Sequence, residues 1–293
     1  MQLVGTIPPS PGNAIELGPL TVHYYGIAIT IGVLVAITVL RRRYAALGGN
    51  PDLADRVAIW AVVTGLVGAR LGHVLPRLER FGEDPLSMLA IWEGGLAYFG
   101  GLLAGAVAAV LLVRRWGGHV PSFADATAPV IPIAQAFGRW GNYFNQELYG
   151  TSTDVWWALE IERGGEIVDT VHPTFAYEMI GNLLIAGALI LIGRRGSLRR
   201  GALIFLYAIG YGVLRFALEF VRTDDRAFEF VFTANQWVAL GILVAGVLGL
   251  AWWQRRPEPE AALDEEPAEV SHDSGASVVD VDSEPDPDLG SPR

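Results

Sequence analysis

Residues 20–40 read LTVHYYGIAITIGVLVAITVL, and Arg41, Arg42 and Arg43 follow at once. The stretch holds no Asp, Glu, Lys or Arg, and about 20 mostly apolar residues suffice for a helix to cross the hydrocarbon core of a bilayer. Working outward, stretches of the same kind recur at 57–75, 96–113, 123–142, 175–193, 202–222 and 236–253. The stretch 123–142 is the least regular, because Pro129 and Pro132 interrupt it. Membrane helices tolerate proline where neighbours satisfy the freed backbone groups. The pattern predicts an all-α polytopic membrane protein of seven transmembrane helices.

Arginine placement predicts the orientation. Arg41–Arg43 follow the first span, Arg114 and Arg115 the third, and Arg255 and Arg256 the seventh; Arg194, Arg195, Arg199 and Arg200 lie between the fifth and sixth. In a seven-span chain these four clusters share one side, which the positive-inside rule makes the cytoplasm. The amino terminus is then outside and the carboxyl terminus inside a bacterial plasma membrane. The first 20 residues lack a basic region and a cleavage site, so they do not read as a removable signal peptide. Residues 143–173 form the long outer loop. Their polar–apolar alternation around Gly164–Gly165 predicts a short hairpin, a small extracytoplasmic cap.

Composition agrees: of 293 residues, 52% are hydrophobic and only 18% charged, against about 25% charged in soluble domains. The net charge of −10 is local. Residues 257–293 hold twelve carboxylates and one arginine, whereas 1–256 hold 19 acids against 20 arginines. That tail lacks aromatics and is rich in Pro, Ser, Asp and Glu, which predicts a disordered segment after a catalytic domain of residues 1–256. The chain has no cysteine, which excludes disulfides, thiolate metal sites and a cysteine nucleophile. It also has no lysine, which excludes Schiff-base chemistry. No metal site, cofactor or nucleic-acid partner is expected.

Ionisable residues inside spans are rare and mark function or pairing. Here they gather towards the outer half: Arg70 in the second span, Arg139 and Asn142 at the end of the fourth, Glu178 and Asn182 in the fifth. Arg215, Glu219 and Arg222, at i, i+4 and i+7, predict one stripe on the sixth. Such charges can simply pair and hold a bundle together, and Arg222 beside TDDR could snorkel to the interface. Two buried arginines, however, need anions, since guanidinium keeps its proton. Glu147, Glu178 and Glu219 are available. An arginine left over would take a phosphate through two parallel hydrogen bonds, and in a bilayer that phosphate belongs to a lipid headgroup. The glycine-dense segments GLVGARLG and GGLAYFGGLLAG fit close helix packing.

The segment GRWGNYFNQELYG, residues 138–150, resembles the signature of the prolipoprotein diacylglyceryl transferases, G-R-x-G-N-x-x-N-x-E-x-x-G. All seven fixed positions match: Gly138, Arg139, Gly141, Asn142, Asn145, Glu147 and Gly150. At roughly 5% usage per residue type, chance gives such a match about once in 10⁹ windows. Tyr24-Tyr25-Gly26, GARLGHVL, WEGGLAYFGG, HPTFAYE and RFALEFVRTDD resemble the family's other blocks, in order. The resemblance implies that phosphatidylglycerol donates its diacylglyceryl group to the lipobox cysteine of a prolipoprotein signal peptide, with release of glycerol phosphate. The reacting thiol then belongs to the substrate, consistent with a cysteine-free chain.

That reaction needs fixed positive charge on the leaving phosphate and a route to the thiolate. The expected phosphate ligands are Arg139 and Arg215, with Asn142 donating to the phosphate and Glu147 and Glu219 orienting the arginines. Arg222 is expected to draw in the headgroup at the outer surface, and Tyr25, Asn145 and Gly150 to contact substrate. One position departs from the family, where many members carry histidine in a motif like F-H-G-G; here Phe99 stands in its place. His73, His172 and His23 are alternative bases. The reading preferred over all three is that the arginine field lowers the substrate thiol's pKa without a dedicated base. A lipid or small-anion transporter is the rival class, and a structural protein or an aspartyl peptidase stands further off.

Overall fold

A computed structural model of the chain describes residues 5–18, 20–82, 84–91, 94–222 and 231–256. The acidic tail expected to be disordered lies outside them. Eight α-helices follow one another there: α1 (Tyr24–Ala46), α2 (Pro51–Val74), α3 (Tyr98–Arg115), α4 (Val120–Thr127), α5 (Val130–Asn145), α6 (Thr174–Arg195), α7 (Leu203–Leu218) and α8 (Ala234–Arg255). Six helical segments are long and apolar enough to cross a membrane: α1, α2, α3, α6, α7 and α8, where α2 and α7 run on into 3-10 turns. With the family reported below, this makes the chain a multi-pass bacterial membrane protein. Its surface inverts that of a soluble fold. Leu34, Leu103, Leu184 and Leu248 are exposed, while Glu178, Asn182, Glu219 and Arg222 are buried.

The expected single helix over 123–142 is corrected: it is two helices, α4 and α5, broken at Ala128–Pro129. Proline lacks the N–H of the helical ladder, and its ring crowds the preceding turn. Pro132 does no comparable harm. It falls in the first turn of α5, where an N–H has no intrahelical partner anyway. The two pieces together run antiparallel to α1 along its length. Arg43 Nη2 donates to the Asp125 carbonyl at 3.4 Å near one end, Gly32 abuts Phe137 midway, and the Tyr25 ring lies on Gly141 at the other end.

Small residues set the other helix contacts. Gly68 of α2 and Gly100 of α3 face each other so closely that a Cβ on Gly68 would sit 2.7 Å from the Gly100 carbonyl oxygen. Gly212 and Gly246 bring α7 and α8 together in the same way, with a Cβ at Gly246 reaching 3.0 Å from the Phe205 oxygen. With α4 and α5 taken as one unit, consecutive helices are antiparallel, and every arginine cluster named above falls at one end of the bundle. An apolar cluster that includes Tyr44, Val57, Val113 and Phe123 closes the core towards that end.

At the opposite end stand two hairpins. One was expected: β3 (Leu159–Arg163) pairs antiparallel with β4 (Glu166–Val171) around Gly164–Gly165. The other was not: β1 (Ala14–Leu17) pairs with β2 (Leu20–His23) directly before α1, so the first helix begins four residues later than its apolar run. The expected stripe on the sixth span is also corrected. α7 stops at Leu218, Glu219–Val221 form a 3-10 turn, and Arg222 is extended (φ −89°, ψ 151°). There its backbone bridges to Gly150 of the cap.

Candidate active site

The last two turns of α5 carry Arg139 and Asn142, and α6 enters beside them carrying Glu178. Arg139 Nη1 donates to Asn142 Oδ1 at 2.9 Å. Its Nε lies 3.2 Å from Glu178 Oε1, an ion pair by distance whose N–H is not aimed at the oxygen. Asn142 in turn donates to Glu147 Oε1 at 3.0 Å, and Asn145 donates to the same oxygen at 3.1 Å. Glu147 therefore reaches Arg139 through an amide rather than by direct contact. The chain folds back to make this possible. α5 ends on Gln146 in the left-handed region (φ 48°), and the Gln146 side chain accepts from Glu162 N at 3.0 Å, tying the turn to β3.

Glu178 holds a second arginine. Arg222 Nη1 lies 3.7 Å from Glu178 Oε2, and both side chains are about 5% exposed (6% and 5%). The expectation of Arg222 at the outer surface is thus corrected. Leaving the helix after Val221 and pairing with Gly150 turns its side chain inward. Gly150 makes that pairing possible, since a Cβ there would lie 2.5 Å from the Val221 oxygen. Asn182, one turn beyond Glu178, is fully buried, and no group among the described residues bonds its amide.

Arg215 belongs to a separate pair. Its Nη1 donates to Glu219 Oε2 at 2.6 Å. The other oxygen of Glu219 accepts from Thr233 Oγ1 at 2.9 Å and Asn235 Nδ2 at 3.0 Å at the start of α8. Arg215 also lines a cavity of about 230 Å³ between α3, α7 and α8, whose walls include Tyr98, Phe99, Tyr207, Tyr211 and Asn235. Tyr211 lies one helical turn before Arg215 on α7 and lines the same cavity. The arrangement is a largely aromatic and aliphatic slot whose polar lining includes the Arg215 guanidinium and the Asn235 amide.

A model of the prolipoprotein diacylglyceryl transferase family matches residues 12–252. The chain belongs to that family. Among curated relatives, phosphatidylglycerol--prolipoprotein diacylglyceryl transferase 1 of Streptomyces coelicolor is 39% identical over 280 residues, covering 94% of this chain and 82% of the relative. The phosphatidylglycerol--prolipoprotein diacylglyceryl transferase of Streptomyces griseus is 43% identical over 245 residues, with 82% and 75% covered. That of Corynebacterium efficiens is 42% identical over 266 residues, with 85% and 83% covered.

The site-level expectations can be set against the geometry. The transferase signature folds into one connected unit: Arg139, Asn142, Asn145 and Glu147 form a hydrogen-bonded chain, and Gly141 receives the Tyr25 ring. Arg215 with Glu219 lies on the neighbouring helix. Arg70 has a different employment: its guanidinium donates to the carbonyls of Ser87, Met88 and Gly94 at 2.6, 2.8 and 2.7 Å, pinning the segment after α2. Phe99 lines the cavity, whereas His23, His73 and His172 do not. His172 Nδ1 instead meets Tyr177 Oη, in the first turn of α6, at 3.1 Å. Glu178 and Asn182, four apart in an apolar helix, mark a polar face in the sequence, but the pairing of Glu178 with both Arg139 and Arg222 does not show there. Tyr207 and Tyr211, which the sequence reading did not single out, recur with Arg215 every four residues and line the cavity with it.

Proposed function

We propose that this chain transfers the diacylglyceryl group of phosphatidylglycerol to the thiol of a lipobox cysteine in a prolipoprotein signal peptide, releasing glycerol phosphate. This is the first step of bacterial lipoprotein maturation. The observation that carries the reading is Arg215, with Asn235, in the wall of a cavity otherwise lined by aromatic and aliphatic side chains. A phospholipid has that composition, an anion joined to hydrocarbon.

In this reading α4 and α5 together make the fourth of seven crossings. α1, of 23 residues, is about 35 Å long at 1.5 Å per residue, more than the roughly 30 Å of a hydrocarbon core. The α4–α5 pair, of 8 and 16 residues, runs beside it. Seven crossings put all the arginine clusters on the cytoplasmic side, the amino terminus and both hairpins outside, and the carboxyl terminus inside. Arg139 and Arg215 then lie in the outer half of the bilayer.

Arg139 and Arg215 hold the phosphodiester of the donor. Glu219 fixes Arg215, and Glu178 fixes Arg139. Asn142 and Glu147 act one step further back, as positioning residues for Arg139. Tyr25, Asn145 and Gly150 frame the headgroup entrance, and Arg222 steadies the cluster through Glu178. The substrate sulfur forms a bond to the glyceryl carbon as the carbon–oxygen bond to phosphate breaks. The electron pair leaves on the phosphate oxygen, where fixed guanidinium charge is worth most in a water-poor site. The thiol loses its proton before attack, because the thiolate is the nucleophile. The same positive field that receives the phosphate favours that loss without a histidine in the cavity. The test is purified protein with phosphatidylglycerol and a lipobox peptide. Diacylglyceryl-modified peptide and free glycerol phosphate are the expected products, and a transporter of lipids or small anions would give neither.

A further inference from the structure

The largest cavity named here lies away from the signature residues, at the arginine-rich end of the bundle. It has a volume of about 530 Å³ and is walled by the α1–α2 loop, the α3–α4 loop and Arg200 of the α6–α7 loop. No carboxylate lines it. Its polar side chains have spent their acceptors and kept their donors. Asn50 Oδ1 accepts from Asp52 N at 2.9 Å, which leaves the amide NH₂. His119 Nδ1 accepts from Ser122 N at 3.3 Å and lies 2.8 Å from Ser122 Oγ, which assigns the neutral ring's proton to Nε2. Arg200 Nη1 donates to Ser122 Oγ at 2.8 Å and to the Leu47 carbonyl at 2.9 Å. This fixes the guanidinium at one edge, and no ion pair engages it among the described residues.

A relay runs from Arg200 through the Ser122 hydroxyl to His119, and each group it orients has an N–H left to give. A cavity whose walls offer a guanidinium, an imidazole N–H and an amide but no carboxylate selects an anion; Asp125, which accepts from Gly201 N behind the wall, balances only part of the Arg200 charge. Guanidinium favours tetrahedral oxyanions through paired donors. We propose that this cavity is a second anion site, for a phosphate ester, distinct from the outer arginine cluster and independent of its catalytic role. The ester is either the headgroup of an anionic phospholipid in the adjoining leaflet or a soluble phosphate.

Protein in phosphatidylcholine nanodiscs tests this with two probes. Inorganic phosphate is titrated by calorimetry, and trace phosphatidic acid retained by the protein is counted by native mass spectrometry. Arg200→Gln keeps a donor for Leu47 and Ser122 but removes the charge. Asn50→Asp keeps the acceptor for Asp52 N and adds a negative charge to the cavity, so it reads the site even if Arg200→Gln folds poorly. Both should weaken binding about tenfold to a hundredfold, the worth of one charge-assisted contact. Arg199→Gln, the same charge change beside Trp253, should bind like wild type. Loss confined to phosphatidic acid identifies a lipid headgroup, and loss of both probes a site open to soluble phosphate. The proposal is overturned if both cavity variants bind both probes like wild type, or if Arg199→Gln weakens binding equally.

Discussion

Replacing Glu178 by glutamine removes one charge from between two guanidiniums and changes almost nothing in shape. The carboxylate lies 3.2 Å from Arg139 Nε and 3.7 Å from Arg222 Nη1. At an effective dielectric near 20, those separations correspond to about 5 and about 4 kcal/mol of attraction. Desolvation of the three groups has already consumed much of that, so the sum is not the loss. Breaking a buried pair by removing one partner costs about 3–5 kcal/mol. Arg139 is 27% exposed on its side chain and recovers part of its solvation, which puts the expected penalty near 3 kcal/mol. At about 2–4 °C per kcal/mol for a chain of this size, Glu178→Gln should melt roughly 6–12 °C lower in phosphatidylcholine micelles, followed by tryptophan fluorescence. Lipid identity then adds a second reading. If a lipid phosphate reaches Arg139, it can replace the lost carboxylate, and phosphatidylglycerol should stabilise the variant by more degrees than it stabilises wild type. A variant that melts within a degree of wild type would refute the ion-pair reasoning. Equal responses of variant and wild type to phosphatidylglycerol would refute access of the lipid phosphate to this cluster.

Other substitutions probe the remaining links. Arg139→Ala and Arg215→Ala should each lower transfer to the lipobox peptide by about 10²–10³-fold, the worth of one preorganised donor to a developing oxyanion, while the protein still inserts; near-normal turnover in either removes that arginine from the mechanism. Glu219→Gln frees Arg215 from its 2.6 Å partner, and the peptide assay should show a loss of about tenfold or more, smaller than for Arg215→Ala. Phe99→His places an imidazole in the cavity wall, so a pH–rate profile should acquire an inflexion near the ordinary histidine pKa of about 6.5 that wild type lacks. Gly100→Val drives a side chain into the Gly68 backbone and should cost about 1–3 kcal/mol, seen as a lower melting temperature with residual activity per folded molecule unchanged.

Hydrocarbon thickness makes spans easy to read, and arginine bias does the same for their ends, so α1, α2, α3, α6 and α8 begin and end within about six residues of their apolar runs. Where the expectation failed, backbone chemistry overrode hydropathy. Pro129 divides α4 from α5 although both sides are apolar, and the β1–β2 hairpin takes Leu20–His23 out of the first apolar run. Arg222 shows the same limit at the site. Helical spacing places it on the stripe of Arg215 and Glu219, but spacing holds only while the helix does, and α7 ends at Leu218. Its partner is Glu178, 44 positions away in sequence, and the bridge that turns it inward is made by Gly150 in another loop. Residue types were thus enough to name most of the cluster, because charge inside a span is costly whatever its partner. Pairing was not legible, because it depends on where helices stop. The groups that must touch substrate are fixed by their chemistry and can be read from the chain, whereas Glu178, which decides how firmly two of the arginines are held, becomes visible only when α5, α6 and the segment after α7 meet at the same end of the bundle.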